Sequence, residues 1–252
     1  MFHNMRQNNR YMDSIGGTLA GGKGSGVGVL DKAVVILSFL SEGGPATLAE
    51  VVGGTGLSRP TAYRLLSALE AHRLVVRVGG RYALGMRLLG WGNGAVGLDL
   101  IDAARPALAA LADETGESVQ LYVREGDRRV CVAAVERAGR GLRDTVPVGA
   151  VLPLERGSGG KVLLAWAEDV EGSFATEASE LERARDLGWA ESVAEREAGV
   201  ASVSAPVFGP GGELRAAVCA SGPVSRLGEH PGERLAEPVL AAAREIEASL
   251  GS

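Results

Sequence analysis

The stretch from Thr47 to Leu84 constrains the chain more than any other. Thr47 precedes a short helix, Leu48 to Val52, and Glu50 stands three residues later, which completes a capping box. Gly53-Gly54-Thr55-Gly56 then breaks the helix, and Ser58 caps the next one with Pro60 in its first turn, where a missing N–H costs nothing. Ala62, Leu65, Leu66 and Leu69 give that helix one apolar face. Leu74 to Val78 and Arg81 to Leu84 read as two strands around Gly79-Gly80. A helix upstream has Leu30, Ala33, Val34, Leu37 and Leu40 as its apolar stripe and ends near Gly43-Gly44-Pro45. The order helix, short helix, glycine turn, helix, hairpin is that of a winged helix-turn-helix. A small helical domain with an appended hairpin is the other reading.

Charge follows this division. Residues 1–90 hold 10 Lys/Arg and 5 Asp/Glu, a balance of +5, and residues 91–252 hold 16 and 26, a balance of −10. A basic module joined to an acidic one implies a polyanionic partner for the first alone. The third helix carries Arg59, Thr61, Tyr63 and Arg64 in its first turns, where a recognition helix meets base edges. Arg77 and Arg81 flank the hairpin tip, placed for a phosphate backbone or a minor groove. With Thr47 and Ser58 at the two helix starts, these are the candidate DNA-binding residues.

The rest of the chain divides as follows. Residues 1–28, glycine-rich from Gly16, read as a flexible tail, residues 29–85 as the DNA-binding domain, 86–98 as a linking helix and 99–252 as a second domain. Helical periodicity from Leu98 to Gly116 contains Pro106, which is expected to kink or restart the helix. Strands are expected over Glu117 to Arg124, Arg128 to Glu136, Trp189 to Glu195, Val200 to Phe208 and Leu214 to Ser221. Helices are expected over Lys161 to Ala167, Glu177 to Leu187 and Glu233 to Leu250. The second domain is therefore α+β, with a mostly antiparallel sheet.

Several chemistries are excluded. Cys131 and Cys219 form no CxxC pair, which fits a reducing cytoplasm. With only His3, His72 and His230 besides, a zinc site is not expected, and no cofactor is implied. No apolar run approaches the ~18 residues of a membrane span, and the polar start lacks a secretory core. Aromatics make up 4% of the chain, too few for a single-strand stacking platform.

Two features of the second domain carry chemistry. Ser158-Gly159-Gly160-Lys161 matches the SxxK of serine acyl-enzymes, but neither SDN nor KTG occurs. The same residues read as a glycine-rich loop whose free N–H groups hold a carboxylate, or as a plain turn. Ser202 and Ser204, with Cys219 and Ser221, lie at alternate positions of two adjacent strands, which puts each pair on one face. They either line a ligand pocket or are serines satisfied by the backbone. A serine hydrolase using Ser158 and Lys161, and a sensor acting through protein contacts only, are the alternatives to a DNA-binding regulator.

The motifs resemble one family. Leu30-Asp31-Lys32-Ala33, Thr47-Leu48-Ala49-Glu50, Gly56-Leu57-Ser58, Thr61-Ala62-Tyr63-Arg64-Leu65-Leu66 and Arg81-Tyr82-Ala83-Leu84-Gly85 resemble the DNA-binding domain of IclR-type bacterial transcription regulators. Arg105-Pro106, Gly160-Lys161-Val162-Leu163-Leu164-Ala165, Gly199-Val200 and Ser221-Gly222-Pro223 resemble its effector domain. Ser25 to Ala33, Leu142 to Gly149 and Glu195 to Val207 resemble the actinobacterial NdgR/AreB branch. The resemblance implies a curved antiparallel sheet flanked by helices, homodimers or dimers of dimers, and palindromic double-stranded operators. It implies control of amino-acid (leucine) biosynthesis genes and of secondary metabolism. The implied effector is an amino acid or small carboxylate held by Gly160, Ser202, Cys219 and Ser221. Gly159 and Cys219 stand where serines are common in the family, and both remove hydroxyl donors.

Overall fold

Val78 and Arg81 face each other across Gly79 and Gly80, both with positive φ (58° and 79°), as a two-residue hairpin turn demands. This turn lies in the first of two units of the computed structural model, Met1–Val96 and Gly97–Ser252, within which residues 25–92, 97–136, 146–167 and 176–251 are described. The tail as far as residue 24, the glycine-rich part of the linking segment at 93–96 and Leu142 to Thr145 lie outside the described residues.

The first unit comprises α1 (Gly28–Gly43), α2 (Leu48–Thr55), α3 (Arg59–Ala71), β1 (Val75–Val78), β2 (Arg81–Leu84) and α4 (Arg87–Gly92). Its core is Ile36, Leu40, Val51, Ala62, Leu66, Leu69, Val75 and Tyr82. The inner stripe of α1 is Ala33, Ile36, Leu37 and Leu40, about an eighth of a turn round from the expected one. Leu30 and Val34 lie outside it, 54% and 51% exposed. α2 runs on through Gly53 and Gly54 and ends only at Gly56, which takes the left-handed conformation. Gly54 is a packing glycine, because a Cβ there would sit 2.0 Å from the Phe39 ring. Paired backbone bonds between Ala46 and Tyr82 (2.7 and 2.8 Å) fasten the hairpin to the α1–α2 connection.

The second unit comprises α5 (Leu98–Thr115), β3 (Ser118–Glu125), β4 (Arg128–Val135), β5 (Val151–Pro153), α6 (Ser158–Ala165), α7 (Ala178–Leu187), β6 (Ala190–Val193), β7 (Val200–Phe208), β8 (Leu214–Pro223), α8 (Val224–Leu227) and α9 (Gly232–Leu250). The strands form one antiparallel sheet, β5-β4-β3-β8-β7-β6. Val119, Leu121, Ala201, Val203, Ala205, Val218 and Ala220 face α5 and α9 and form the main core. Alternation along the strands turns their neighbours to the opposite face, which α6 covers. Pro106 lies within α5 without ending it, and the carbonyl four residues back, which loses its N–H partner, belongs to exposed Asp102. α6 starts three residues before the expected Lys161, and β5 and α8 are too short to give a periodic signal. Among the described residues, no helix is long and apolar enough to cross a membrane.

Candidate nucleic-acid interface and effector pocket

α3 buries Ala62, Leu66 and Leu69 and leaves Arg59, at its first position, with Tyr63 and Arg64 exposed. Tyr63 is 53% exposed. The helix holds no acid before Glu70, and its N-terminal turns present two guanidinium groups beside the positive end of the helix dipole. Arg77 is exposed on β1 with its guanidinium over the Tyr82 ring, 4.9 Å from the centroid. Arg73, which the sequence reading passed over, is exposed at the α3–β1 turn with φ 58°.

Three of the expected DNA-binding residues are engaged within the unit. Thr47 forms the capping box: its N–H and hydroxyl donate to Glu50 Oε2 at 2.7 and 2.9 Å, and its Oγ1 accepts the Glu50 N–H at 3.3 Å. Ser58 stands at the N-cap position of α3, but its hydroxyl meets that of Thr61 at 2.9 Å and caps no backbone N–H. Arg81 turns back from the hairpin. Its Nη2 lies 2.7 Å from Glu50 Oε2 and its Nε donates to the Pro45 carbonyl at 2.9 Å. The Thr47 N–H first, and Arg81 next, hold the Glu50 carboxyl down from 4.5 to about 2.

In the second unit, register assembles a polar patch on the face under α6. One row runs Ser192, Ser202, Ser221, Ser118, and the next runs Ser204, Cys219, Gln120. Ser158, in the first turn of α6, reaches down to Ser202 Oγ at 2.7 Å and Ser204 Oγ at 2.8 Å, with Cys219 Sγ at 3.8 Å. Ser221 donates to Gln120 Oε1 at 3.1 Å. Ser202, Cys219 and Ser221 therefore share one face of the sheet with Ser204 and Gln120, and Ser158 packs onto it. Gly160 belongs behind it: a Cβ there would lie 2.0 Å from the Leu154 carbonyl oxygen, so the residue permits a close approach of two backbones.

Lys161 points away from Ser158. Its Nζ lies 2.6 Å from Glu195 Oε1 and 3.3 Å from both Glu180 Oε1 and the Glu191 carbonyl. The other Glu195 oxygen accepts the Gly157 N–H at 3.1 Å. An ammonium held by two carboxylates is no base for Ser158, which removes the geometric ground for a Ser–Lys nucleophile.

Two side chains that the sequence reading missed close the patch from β3 and β4. Tyr122 is buried, and burial pushes its phenol well above the ordinary range. Arg129 is 2% exposed, with its guanidinium 5.1 Å from the Tyr122 ring centroid and Nη1 donating to the Arg156 carbonyl at 2.6 Å. Its signal was legible: in the Arg128-Arg129 pair on a strand, one side chain must face inward. A separate cleft of about 660 Å³, between Trp166, Phe208, Arg124 and Arg215, includes none of the expected effector residues. Among the described residues, no group of His, Cys, Asp and Glu is placed to hold a metal ion.

Residues 29–79 match the IclR helix-turn-helix domain, and residues 94–178 and 176–248 match the bacterial transcriptional regulator IclR C-terminal domain. The chain belongs to the IclR family. The family is one of transcriptional regulators, and this member is accordingly a DNA-binding regulator with a C-terminal effector domain, not an enzyme. It is similar to the transcriptional regulator RhmR of Escherichia coli K12, 31% identical over 90% of this chain and 95% of that one. It is also similar to the transcriptional repressor AllR of Salmonella typhi, 27% identical over 90% of this chain and 91% of that one. The Thermotoga maritima IclR crystal structure superposes with a TM-score of 0.67 at 25% identity, over 88% of this chain and 98% of that one. An IclR homologue of Microbacterium hydrocarbonoxydans, solved with 4-hydroxybenzoate, shares the fold (TM-score 0.70, 23% identity, 88% and 99% covered).

Proposed function

We propose that this IclR-family regulator reads a palindromic operator through the N-terminal turns of α3. Arg59 and Arg64 contact base edges in the major groove, Tyr63 packs alongside, and Arg77 meets the phosphates from the wing. The observation that carries this reading is the acid-free, outward face of α3, with its two arginines beside the positive helix end. A homodimer or dimer of dimers matches a palindrome by symmetry. Exposed Val27, Leu30 and Val34 at the start of α1, and Met86, Leu89 and Trp91 around α4, support self-association.

In the second unit, the patch formed by Ser158, Ser202, Ser204, Cys219 and Ser221 holds a small carboxylate or an amino acid. The Microbacterium homologue's 4-hydroxybenzoate is of the first class. Effector and operator each favour one arrangement of the protein, so each changes the other's affinity by the same factor. The regulated genes are those of amino-acid biosynthesis, leucine above all, and of secondary metabolism. The motifs shared with the NdgR/AreB branch support that assignment.

Selection of sheared genomic DNA by the purified protein, with and without branched-chain amino acids and their 2-oxo acids, tests the reading. Enrichment of a few palindromic fragments upstream of leucine genes, altered by one of these compounds, is the expected result. Specific fragments that ignore every compound leave the regulator and discard the effector class. No enrichment contradicts operator recognition by this chain.

A further inference from the structure

Among the described residues, Arg129 is a buried cation that no carboxylate pairs with. The residue is 2% exposed, Nη1 donates to the Arg156 carbonyl, and Nε has no hydrogen-bond partner among the described residues. No carboxylate pairs with it there. Glu195, the nearby acid, has one oxygen committed to Lys161 and the other to the Gly157 N–H. Glu117, which is buried, is held by Arg226 at 2.9 and 2.5 Å.

Its place sets a second positive feature beside it. Cβ atoms built on Gly160 and Gly157 would lie 2.5 and 3.2 Å from its Nη1 and Nη2, so the guanidinium is pressed against the start of α6. That end of a helix carries partial positive charge. The Ser158 and Gly159 N–H groups there have no acceptor among the described residues. Arginine stays protonated when buried, and an unpaired buried charge is costly. The Tyr122 ring offsets part of that cost, but a ring face is a weak substitute for an anion. Two like-signed features converge on one point beside a cluster of serine hydroxyls.

Resting on the effector-pocket reading above, we propose that Arg129 is the charge anchor of that pocket and selects a net anion over a zwitterionic amino acid. A carboxylate seated between Arg129 and the α6 N–H groups is stabilised by both. The ammonium of an amino acid finds hydroxyls there and, among the described residues, no uncommitted carboxylate. Leucine as such is then a poor ligand, whereas its 2-oxo acid has the favoured charge.

The test uses the full-length protein and its thermal unfolding midpoint, followed by direct titration. The probes are a panel of straight-chain, branched and aromatic carboxylates, including 4-methyl-2-oxopentanoate and 4-hydroxybenzoate, with the amide of each and with leucine. At least one carboxylate raises the midpoint, and its amide and leucine do not. In Arg129→Met that ligand binds about tenfold or more weakly, while Arg129→Lys retains part of the response. Without ligand, Arg129→Met unfolds no earlier than the wild type. A carboxylate response unchanged in Arg129→Met, or an equal response to leucine or an amide, overturns the proposal and leaves the pocket standing. No response to any probe removes the pocket and the proposal with it. Should Arg129→Met fail to fold, Arg129→Gln and Arg129→Lys decide by titration.

Discussion

The guanidinium of Arg81 and the carboxylate of Glu50 lie 2.7 Å apart and join the wing to the second helix. With the Arg81 bond to Pro45, the contact crosses three segments of the first unit. An arginine spent in this way is a brace for the wing. Arg77, on the facing strand, keeps its exposure.

Arg81→Ala should therefore leave the salt dependence of operator binding unchanged, while Arg77→Ala lowers the slope by about one phosphate contact. Binding isotherms across a range of salt concentrations separate the two. A reduced slope in Arg81→Ala would place that residue on the DNA after all.

Glu50 predicts an acid response. Its carboxyl is held down at about 2 from 4.5 in the folded chain, so its contribution to stability is complete above pH 4.5 and is lost as pH falls toward 2. Unfolding of the wild type between pH 6 and 2.5 should show that loss, and Glu50→Gln should lack this component. Equal acid responses would mean that the capping box and the Arg81 contact carry no net stability.

Cys131 should be inert. Burial, with Cys219 close by, pushes its thiol up to about 12, and its Sγ donates to the Ala133 and Val146 carbonyls. An aromatic disulfide reagent at pH 8 should leave Cys131 unmodified in the native protein and label it on unfolding. Fast native labelling of Cys131 would show that β4 opens.

Lys161 should behave as a structural cation. Lys161→Met leaves Glu195 with its Gly157 bond but without the ammonium, at a cost of about 2 kcal/mol, since Glu195 is partly exposed. A fluorophosphonate should label nothing at Ser158. Labelling that disappears in Ser158→Ala would revive a nucleophile.

Much of this was legible in the residues, for identifiable reasons. The capping box at Thr47 and Glu50 and the Gly79-Gly80 turn are local devices whose chemistry fixes their geometry. Period-two alternation puts Ser202 with Ser204, and Cys219 with Ser221, on one face of each strand, and the register brings the two pairs together. Partners distant in sequence were invisible. Gly54 was read as a helix breaker because Phe39, fifteen positions upstream, could not be seen to need the space. The sequence offers Arg81 as a candidate DNA contact and does not show its bond to Glu50, in another element. Arg129 escaped because its environment comes from β3, β4 and the start of α6 together, although one of two adjacent strand arginines had to face inward.

Specific recognition by α3 is tested most directly by the ratio of affinities for a selected operator and a random duplex at one physiological salt concentration. The ratio is measured for wild type, Arg59→Ala and Arg64→Ala. Each variant should lose about 1–3 kcal/mol of discrimination, with weaker operator binding and nearly unchanged binding to random DNA. Ratios equal to that of the wild type in both variants would contradict base reading by α3.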